Sequence, residues 1–252
     1  MTRTEAFLAR IGLTGMTVSH TVAFLGAVQN ACVLSIPYEN LDILNGKPIS
    51  LDAEDIYRKI VTEHRGGYCF ELNALLHHML AEMGFDVRSR FARYLRGESK
   101  IPFRRHRIVT VTMEDGAEYM VDIGVGQIAP RLPLKLVEGE AQEQNGETYR
   151  LTRDTELGWV VWDLHKGQWR QYVSFTTEMQ VEEDFIPASF WCEKHPDSPF
   201  NKDNMIAIKT ADGRRTVDGN VYKEFVGETC THEETMDAAR TAQVLDTVFG
   251  LR

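Results

Sequence analysis

The chain is organised around one short stretch of sequence, RGGYCFELN at residues 65–73. Two glycines precede Cys69, and apolar side chains follow it at three- and four-residue steps as far as Met83. This period predicts an amphipathic helix that begins at the cysteine and stops at Gly84. Free backbone N–H groups at a helix N-terminus favour negative charge, so this position predicts a thiol biased towards the nucleophilic thiolate.

A predicted β-hairpin downstream supplies partners for the cysteine. Strands are predicted at residues 107–113 and 118–123, and the three residues Glu114–Gly116 between them end in glycine. A loop of this kind pairs positions whose numbers sum to 230, which makes His106 and Asp122 diagonal neighbours on one face. A two-residue loop would turn them to opposite faces. The three-residue register also gathers apolar side chains on the other face: Val109, Val111, Met113, Tyr119, Val121 and Ile123.

Cys69, His106 and Asp122 form a candidate nucleophile, its base and an acid that orients the base. Each has a structural alternative, since a lone cysteine is usually a small buried residue and Asp122 could cap the glycine-containing loop that follows it. The glycine turn, the helix start and the shared hairpin face together favour catalysis. A transglutaminase or thiol protease would use the same triad on an amide, and a binding module that has lost catalysis is a further alternative.

Four segments of the sequence resemble the arylamine N-acetyltransferase family of bacterial type. They are RGGYCFELN, IPYENL at residues 36–41, DIGVG at 122–126 and HPDSPF at 195–200, and their order and spacing agree with the family. The resemblance implies acetyl-CoA as donor and arylamines, arylhydrazines or N-hydroxyarylamines as acceptors, the last acetylated on oxygen. It also implies a Cys69–His106–Asp122 triad that works by a ping-pong mechanism through acetyl-cysteine. Some members instead close amide bonds in biosynthetic pathways, and the sequence leaves this alternative open.

The resemblance also suggests where the acceptor binds. Tyr38, Phe70 and Val125 are the predicted acceptor-site residues. Val125 stands where many members carry an aromatic residue, which predicts a wider acceptor pocket, although a valine packed into the barrel is the structural alternative.

CoA is highly anionic, so its binding to a chain of net charge −9 requires a local basic patch. Arginines 104, 105 and 107 surround His106, and Arg131 and Lys135 are further candidates. A glycine-containing loop after Asp122 can approach a diphosphate closely through its backbone N–H groups. The residues assigned to CoA are Arg104, Arg105, Gly124, Gly126, Trp191 and Ser198.

Composition limits the possible functions further. The 252 residues suffice for a sizeable core, and the net charge of −9 argues against a nucleic-acid or acidic-membrane surface. The four cysteines, at positions 32, 69, 192 and 230, have neither zinc-site spacing nor the density of a disulfide scaffold. No signal-peptide core or bilayer-length apolar run is evident. We therefore expect a cytoplasmic, metal-free enzyme, monomeric or homodimeric, with small-molecule substrates.

The order of predicted elements indicates an α+β fold in three parts. Residues 1–84 are predicted as a helical bundle that carries the nucleophile, 85–190 as a β-barrel that carries the histidine and aspartate, and 191–252 as an α/β lid. A thiol-protease-like Cys-His-Asp core would join the first two parts. The polar segment 138–147 is predicted as an exposed loop. The run Thr231–Glu234 matches a capping box, which predicts a final helix from there to about Phe249.

Overall fold

A computed structural model describes residues 1–251 and combines helices with two antiparallel sheets. The α-helices are α1 (Arg3–Arg10), α2 (Val22–Ser35), α3 (Leu41–Leu44), α4 (Ala53–Tyr57), α5 (Cys69–Glu82), α6 (Phe185–Lys194) and α7 (Ala238–Phe249). The strands are β1 (Asp86–Tyr94), β2 (His106–Thr112), β3 (Glu118–Val121), β4 (Leu134–Lys135), β5 (Ala141–Gln144), β6 (Glu147–Asp154), β7 (Gly158–His165), β8 (Gln168–Phe175), β9 (Met205–Lys209), β10 (Gly213–Asp218), β11 (Val221–Val226) and β12 (Thr229–Thr235).

Helix α5 is the central element of the N-terminal region. It begins at Cys69, as predicted, and its apolar positions Leu72, Leu76 and Met79 are almost completely buried. The helix packs against strands β1 and β2 as well as against its helical neighbours. One hydrophobic cluster therefore joins the helices to the outer face of the hairpin, where Val109 belongs to the same core.

The hairpin of β2 and β3 has the predicted register. Val109 pairs with Val121 and Val111 with Tyr119, so that paired positions sum to 230. Gly116 has φ of 81° and donates its N–H to the carbonyl of Met113 at 2.8 Å, which completes the three-residue loop. The predicted three-residue loop is confirmed, and with it the common face of His106 and Asp122.

Eight strands form a nearly closed, barrel-like sheet in the order β4-β3-β2-β1-β8-β7-β6-β5. Side-chain amides bridge the two edges of the sheet, because Gln142 bonds to both backbone groups of Lys135 in β4 and Gln144 to both backbone groups of Leu132, just before β4, at 2.8–2.9 Å. β4 and β5 are not paired through their backbones, and these glutamine side chains take the place of backbone hydrogen bonds between the two edges. The loop predicted for residues 138–147 is wrong for residues 141–144, which form the edge strand β5, although most of the segment is exposed as predicted.

The C-terminal region pairs a four-stranded sheet, in the order β12-β11-β10-β9, with helix α7. The predicted capping box at residues 231–234 is wrong because these residues lie in strand β12 and pair with β11. Three β-branched threonines and this pairing outweigh the local capping pattern. The helix begins later, at Ala238, where Asp237 accepts the N–H of Arg240 at 2.8 Å.

Helix α6 bears on the three-part division of the chain. It runs from Phe185 to Lys194, so the boundary expected at residue 190 falls inside a helix. The division itself stays a prediction.

Across residues 1–251, the helices are too short or too polar to cross a bilayer.

Candidate active site

Cys69 is the first residue of α5 and is 3% exposed. Tyr68 caps the helix in an extended conformation, and its N–H donates to Glu71 Oε2 at 3.2 Å. Gly66 allows the preceding segment to approach closely, because a Cβ there would lie 2.1 Å from the carbonyl oxygen of Pro37. The glycine turn therefore fixes the entry of the chain into the helix that carries the thiol.

A buried ion network supports this helix start. Lys59 Nζ lies 2.7 Å from Glu71 and 2.8 Å from Asp42. Arg65 contacts Asp42 at 3.2 Å and Glu39 at 2.9 Å. Burial raises the pKa of Glu71 to about 7, against the opposing charge of Lys59. These contacts link α5 to the segments before it and hold the first turn in place.

Asp122 accepts four hydrogen bonds within the protein interior. His106 Nε2 and the hydroxyl of Tyr172 both donate to Oδ2 at 2.8 Å. Asn73 Nδ2 and the N–H of Gly124 donate to Oδ1 at 2.9 and 2.8 Å. Burial raises the pKa of Asp122, but the His106 charge and these hydrogen bonds outweigh it and hold the pKa below its usual value. An ionised carboxylate, which only accepts, matches four donors.

The loop after Asp122 packs directly on the first turn of α5. A Cβ at Gly124 would lie 2.8 Å from Cys69 Cα and 2.5 Å from Asn73 Nδ2. Asn73 follows Cys69 by four residues and therefore lies on the same helix face. Its side chain donates to Asp122 and accepts the N–H of Ile123 at 3.0 Å. The aspartate loop is thus clamped to the cysteine helix.

His106 is 3% exposed and lies between two residues whose backbones reach the sulfur. Cys69 Sγ is 4.0 Å from the carbonyl oxygen of Arg105, and the backbone N–H of Arg107 is near enough to the same sulfur to lower the pKa of the thiol. Because Nε2 of His106 is bonded to Asp122, Nδ1 is the ring nitrogen left to take a thiol proton. The structure therefore buries all three predicted residues, bonds His106 to Asp122, and packs the loop after Asp122 against Cys69.

The acidity of the thiol differs from the sequence prediction. Burial, followed by the charges of Cys192 and Asp122, raises the pKa of Cys69 well above its usual value. Hydrogen bonds from the N–H groups of Arg107 and Phe70 lower this pKa but do not overcome burial. The predicted bias of the lone thiol towards thiolate is wrong, because desolvation outweighs the helix terminus. A thiolate at this buried position would therefore need a base to form.

Two residues of this site had no predicted role. Asn73 lies inside the initial stretch, and its four-residue spacing from Cys69 was a usable signal. Tyr172 comes from β8, which reaches Asp122 only because β1 pairs with both β2 and β8. Burial and the negative charge of Asp122 raise the pKa of Tyr172 well above its usual value, so its hydroxyl remains a donor.

The predicted acceptor residues lie in different surroundings. Phe70 is fully buried, with its ring centroid 5.6 Å from that of Tyr68, so its side chain belongs to the core rather than to a ligand surface. Tyr38 is half-buried and packs against the cluster that contains Cys69. Val125 is half-buried and packs against the barrel core, as its structural alternative proposed.

The basic residues around His106 are all engaged. Arg105 forms an ion pair with Glu98 at 2.6 Å, and Arg104 forms one with Glu178. Both arginine side chains remain partly exposed, at 15% and 33%. Arg107 is fully buried, so its assignment to the CoA patch is wrong. A phosphate at Arg104 or Arg105 would compete with these carboxylates.

The other CoA candidates divide into buried and accessible residues. Arg131 is buried and donates to the carbonyl oxygen of Gly213 at 3.2 Å, whereas Lys135 is exposed on β4. Trp191 is half-buried and stacks on His195 with ring centroids 4.8 Å apart. Trp191 and Lys135 therefore keep surface for a ligand, and Arg131 does not.

The remaining candidates have packing roles. Gly124 was predicted to offer its N–H to a diphosphate. That prediction is wrong, because this N–H donates to Asp122. Gly126 has φ of 55° and packs closely on Tyr38. Ser198 is fully buried and its hydroxyl donates to the carbonyl oxygen of Cys192 while accepting the N–H of Phe200. Its side chain caps a turn and presents no surface to a cofactor.

Comparisons with known proteins agree over nearly the whole chain. A family model described as N-acetyltransferase matches residues 21–252. An arylamine N-acetyltransferase of Mycolicibacterium smegmatis is 35% identical, over 97% of this chain and 90% of its own length. The structure of arylamine N-acetyltransferase from Salmonella typhimurium has a TM-score of 0.94 at 29% identity, covering 100% of this chain and 92% of that chain. Mycobacterium marinum arylamine N-acetyltransferase in complex with CoA has a TM-score of 0.91 at 30% identity, covering 98% and 92%.

Proposed function

Because this chain belongs to the arylamine N-acetyltransferase family and is an N-acetyltransferase, we propose that it acetylates arylamines and arylhydrazines through an acetylated Cys69. The family resemblance seen in the sequence is confirmed. The observation that carries the catalytic proposal is the 2.8 Å hydrogen bond between His106 and Asp122 beside the buried thiol. Nucleophile, base and orienting acid then have the same roles as in a thiol protease.

In the first half-reaction, Nδ1 of His106 takes the proton of Cys69, and Asp122 stabilises the imidazolium. The thiolate attacks the carbonyl carbon of the acetyl thioester, so that a bond from Sγ forms and the bond to the CoA sulfur breaks. N–H groups at the start of α5 are suited to stabilise the oxyanion. The leaving CoA sulfur receives the proton from His106, which leaves acetyl-Cys69.

In the second half-reaction, the acceptor nitrogen attacks the acetyl carbon of acetyl-Cys69. His106 takes the proton that the nitrogen loses and returns it to Sγ as the bond between carbon and sulfur breaks. The high pKa of the free thiol supports this return, because it favours a protonated sulfur at the end of each cycle. Two half-reactions that share one covalent intermediate give ping-pong kinetics.

Acetyl-CoA is the proposed donor, and its anionic groups fit the arginines beside His106. Arg104 and Arg105 are partly exposed and precede the base directly in sequence. The half-buried Trp191 offers an aromatic surface near Cys69, since both belong to one hydrophobic cluster. Tyr38 in the same cluster is the proposed contact for the aromatic ring of the acceptor, with Val125 beside the barrel.

The proposed division of labour follows the three parts of the chain. Residues 1–84 supply the nucleophile, residues 85–190 supply base and acid, and residues 191–252 complete the structure around them. A thiol nucleophile needs a reducing compartment, so we place the enzyme in the cytoplasm.

Intact-protein mass spectrometry after mixing with acetyl-CoA, without acceptor, tests this function. We expect one acetyl group on Cys69, its removal by an arylamine, and its absence in Cys69→Ser. Cys192→Ser is the matched control, because it removes a buried thiol of the same cluster and should still be acetylated. A folded protein that binds CoA but carries no acetyl group on Cys69 would refute the covalent mechanism. Intersecting rather than parallel double-reciprocal lines would instead indicate direct transfer.

A further inference from the structure

Arg107, which follows His106 in the chain, has a fully buried side chain with an extensive set of contacts. Its guanidinium forms a bidentate ion pair with Glu182, at 2.7 and 2.8 Å. It also donates twice to the hydroxyl of Ser89, at 2.6 and 3.1 Å, and lies 4.4 Å from the ring centroid of Phe185. Bidentate pairs fix geometry as well as charge. The side chain is therefore held in one orientation.

The main chain of the same residue belongs to the candidate active site. The carbonyl oxygen of Arg107 accepts Asn73 Nδ2 at 2.6 Å, and the same amide nitrogen donates to Asp122 at 2.9 Å. The backbone N–H of Arg107 is near enough to the sulfur of Cys69 to lower the pKa of the thiol. Side chains alternate along a strand, so His106 and Arg107 point to opposite sides of β2. One residue thus joins the nucleophile and the aspartate network to an ion pair on the far side.

We propose that the Arg107–Glu182 ion pair holds His106 in place against Cys69, which makes Arg107 and Glu182 positioning residues for acetyl transfer. This inference rests on the proposed function. Without the carboxylate, a buried guanidinium would lack its counter-charge and would have to move or admit water. Any such movement shifts the backbone that carries His106, and small displacements of a catalytic group strongly lower rates.

The surroundings of the pair support this role. His78 Nε2 is 4.0 Å from Glu182, and His77 shares a hydrogen bond of 3.1 Å with Ser89. Burial, and then the charge of Arg107, lower the pKa of His77 to about 4, while burial also lowers the pKa of His78. Both imidazoles are therefore neutral at pH 7, and Glu182 supplies the negative charge that balances Arg107.

Helix α6 connects the pair to the other side of the nucleophile. Glu182 lies just before this helix, and Phe185 in its first turn stacks on Arg107. One turn later, the hydroxyl of Ser189 hydrogen-bonds to that of Tyr68, the N-cap residue of the cysteine helix. The same helix thus contacts the strand of the base and the start of the nucleophile's helix.

Glu182→Gln tests the proposal, with Glu183→Gln as matched control. Glu183 is the exposed neighbouring carboxylate, so its change alters the net charge equally and leaves the ion pair intact. The main measurement is the rate at which iodoacetamide alkylates Cys69 at pH 7, well below the melting temperature of each variant. We expect Glu182→Gln to lower this rate, and kcat/KM for acetyl-CoA, about tenfold to a hundredfold with the Kd of CoA unchanged. Glu183→Gln should behave as wild type.

A double-mutant cycle with His106→Gln separates positioning from general destabilisation. If Glu182 acts through the base, Glu182→Gln should have no further effect on alkylation once His106 is glutamine. An equal effect in both backgrounds, or wild-type alkylation in folded Glu182→Gln, overturns the proposal. If Glu182→Gln does not fold, Arg107→Lys keeps the positive charge but loses the bidentate geometry, and wild-type alkylation of that variant overturns it equally. Alkylation needs no acetyl-CoA, so this test stands apart from a failure of acetyl transfer itself.

Discussion

Replacement of Asp122 by asparagine should disable the base by changing its tautomer. The carboxylate accepts from four donors, two on each oxygen. Asparagine has one oxygen, which can keep the hydrogen bonds donated by Asn73 and Gly124. Its NH₂ group must then face His106 and Tyr172. The imidazole can adapt only by accepting at Nε2 and carrying its proton on Nδ1. In the proposed mechanism, that nitrogen takes the proton of the thiol.

The expected magnitudes follow from these contacts. A wrong histidine tautomer lowers kcat by about 10⁴-fold in a serine-protease triad, and we expect a loss of this order here. Hydrogen bonds to a charged group contribute about 1 kcal/mol more than bonds between neutral groups, so four weakened bonds cost roughly 4 kcal/mol. Because asparagine is neutral, the cost of burying the Asp122 charge disappears, and this offsets roughly half of the lost free energy of unfolding. A net loss of about 2 kcal/mol lowers the Tm of a chain of this size by about 4 to 8 °C.

The assay combines rapid-quench acetylation of Cys69 with the melting temperature. Tyr172→Phe is the matched control, because it removes one hydrogen bond of 2.8 Å to Asp122 but keeps the carboxylate and the donating Nε2 of His106. Tyr172→Phe should lower the Tm by about as much as Asp122→Asn does, but it should slow the acetylation of Cys69 far less. A folded Asp122→Asn that acetylates within about tenfold of wild type, a difference of only 1.4 kcal/mol, would refute the reasoning and leave the aspartate as a loop cap.

Three further outcomes test other parts of the site. Burial raises the pKa of Glu71 from 4.5 to about 7, so between these pH values the folded protein keeps a proton that the unfolded chain has released. The free energy of unfolding of wild type, measured in urea, should therefore fall relative to that of Glu71→Gln as pH rises from 4.5 to 7. Glu98→Gln frees Arg105 from its ion pair and should lower the KM for acetyl-CoA about twofold to fivefold, whereas Arg105→Ala should raise this KM. If steady-state kinetics show an unchanged KM in both variants, Arg105 does not belong to the CoA site. Gly124→Ala places a Cβ 2.5 Å from Asn73 Nδ2 and should lower both Tm and Cys69 acetylation, which normal acetylation by intact mass would contradict.

The sequence predicts the parts of the site that depend on local patterns. The period after Cys69 locates the start of α5, and the Glu114–Gly116 loop sets the register that places His106 and Asp122 on one face. Both are short-range properties, because a helix is set by neighbouring turns and a hairpin by its loop. His106 and Asp122 are only 16 residues apart, so one local motif positions both.

The features that sequence analysis missed depend on distant pairing. Tyr172 reaches Asp122 from β8, 50 residues further along the chain, and Glu182 reaches Arg107 across 75 residues. Arg107 looked like a surface arginine because alternation along β2 cannot show that both faces of the strand are covered. Gln142 in β5 looked like part of a polar loop because its amide completes a sheet edge that only the closed barrel creates.

The pKa of the nucleophile shows how local and long-range effects combine. The helix start alone favours a thiolate, but the same packing that brings Asp122 and the hairpin onto α5 also desolvates Cys69 and raises its pKa. A buried thiol with a raised pKa stays protonated until a base takes its proton, so in the proposed mechanism its reactivity is conditional on His106. The orientation of His106 is in turn set by Asp122 through Nε2 and, in our inference, by Arg107 through the backbone. In the proposed mechanism, the reactivity of this cysteine is therefore a property of the folded hairpin more than of the helix terminus from which it was first predicted.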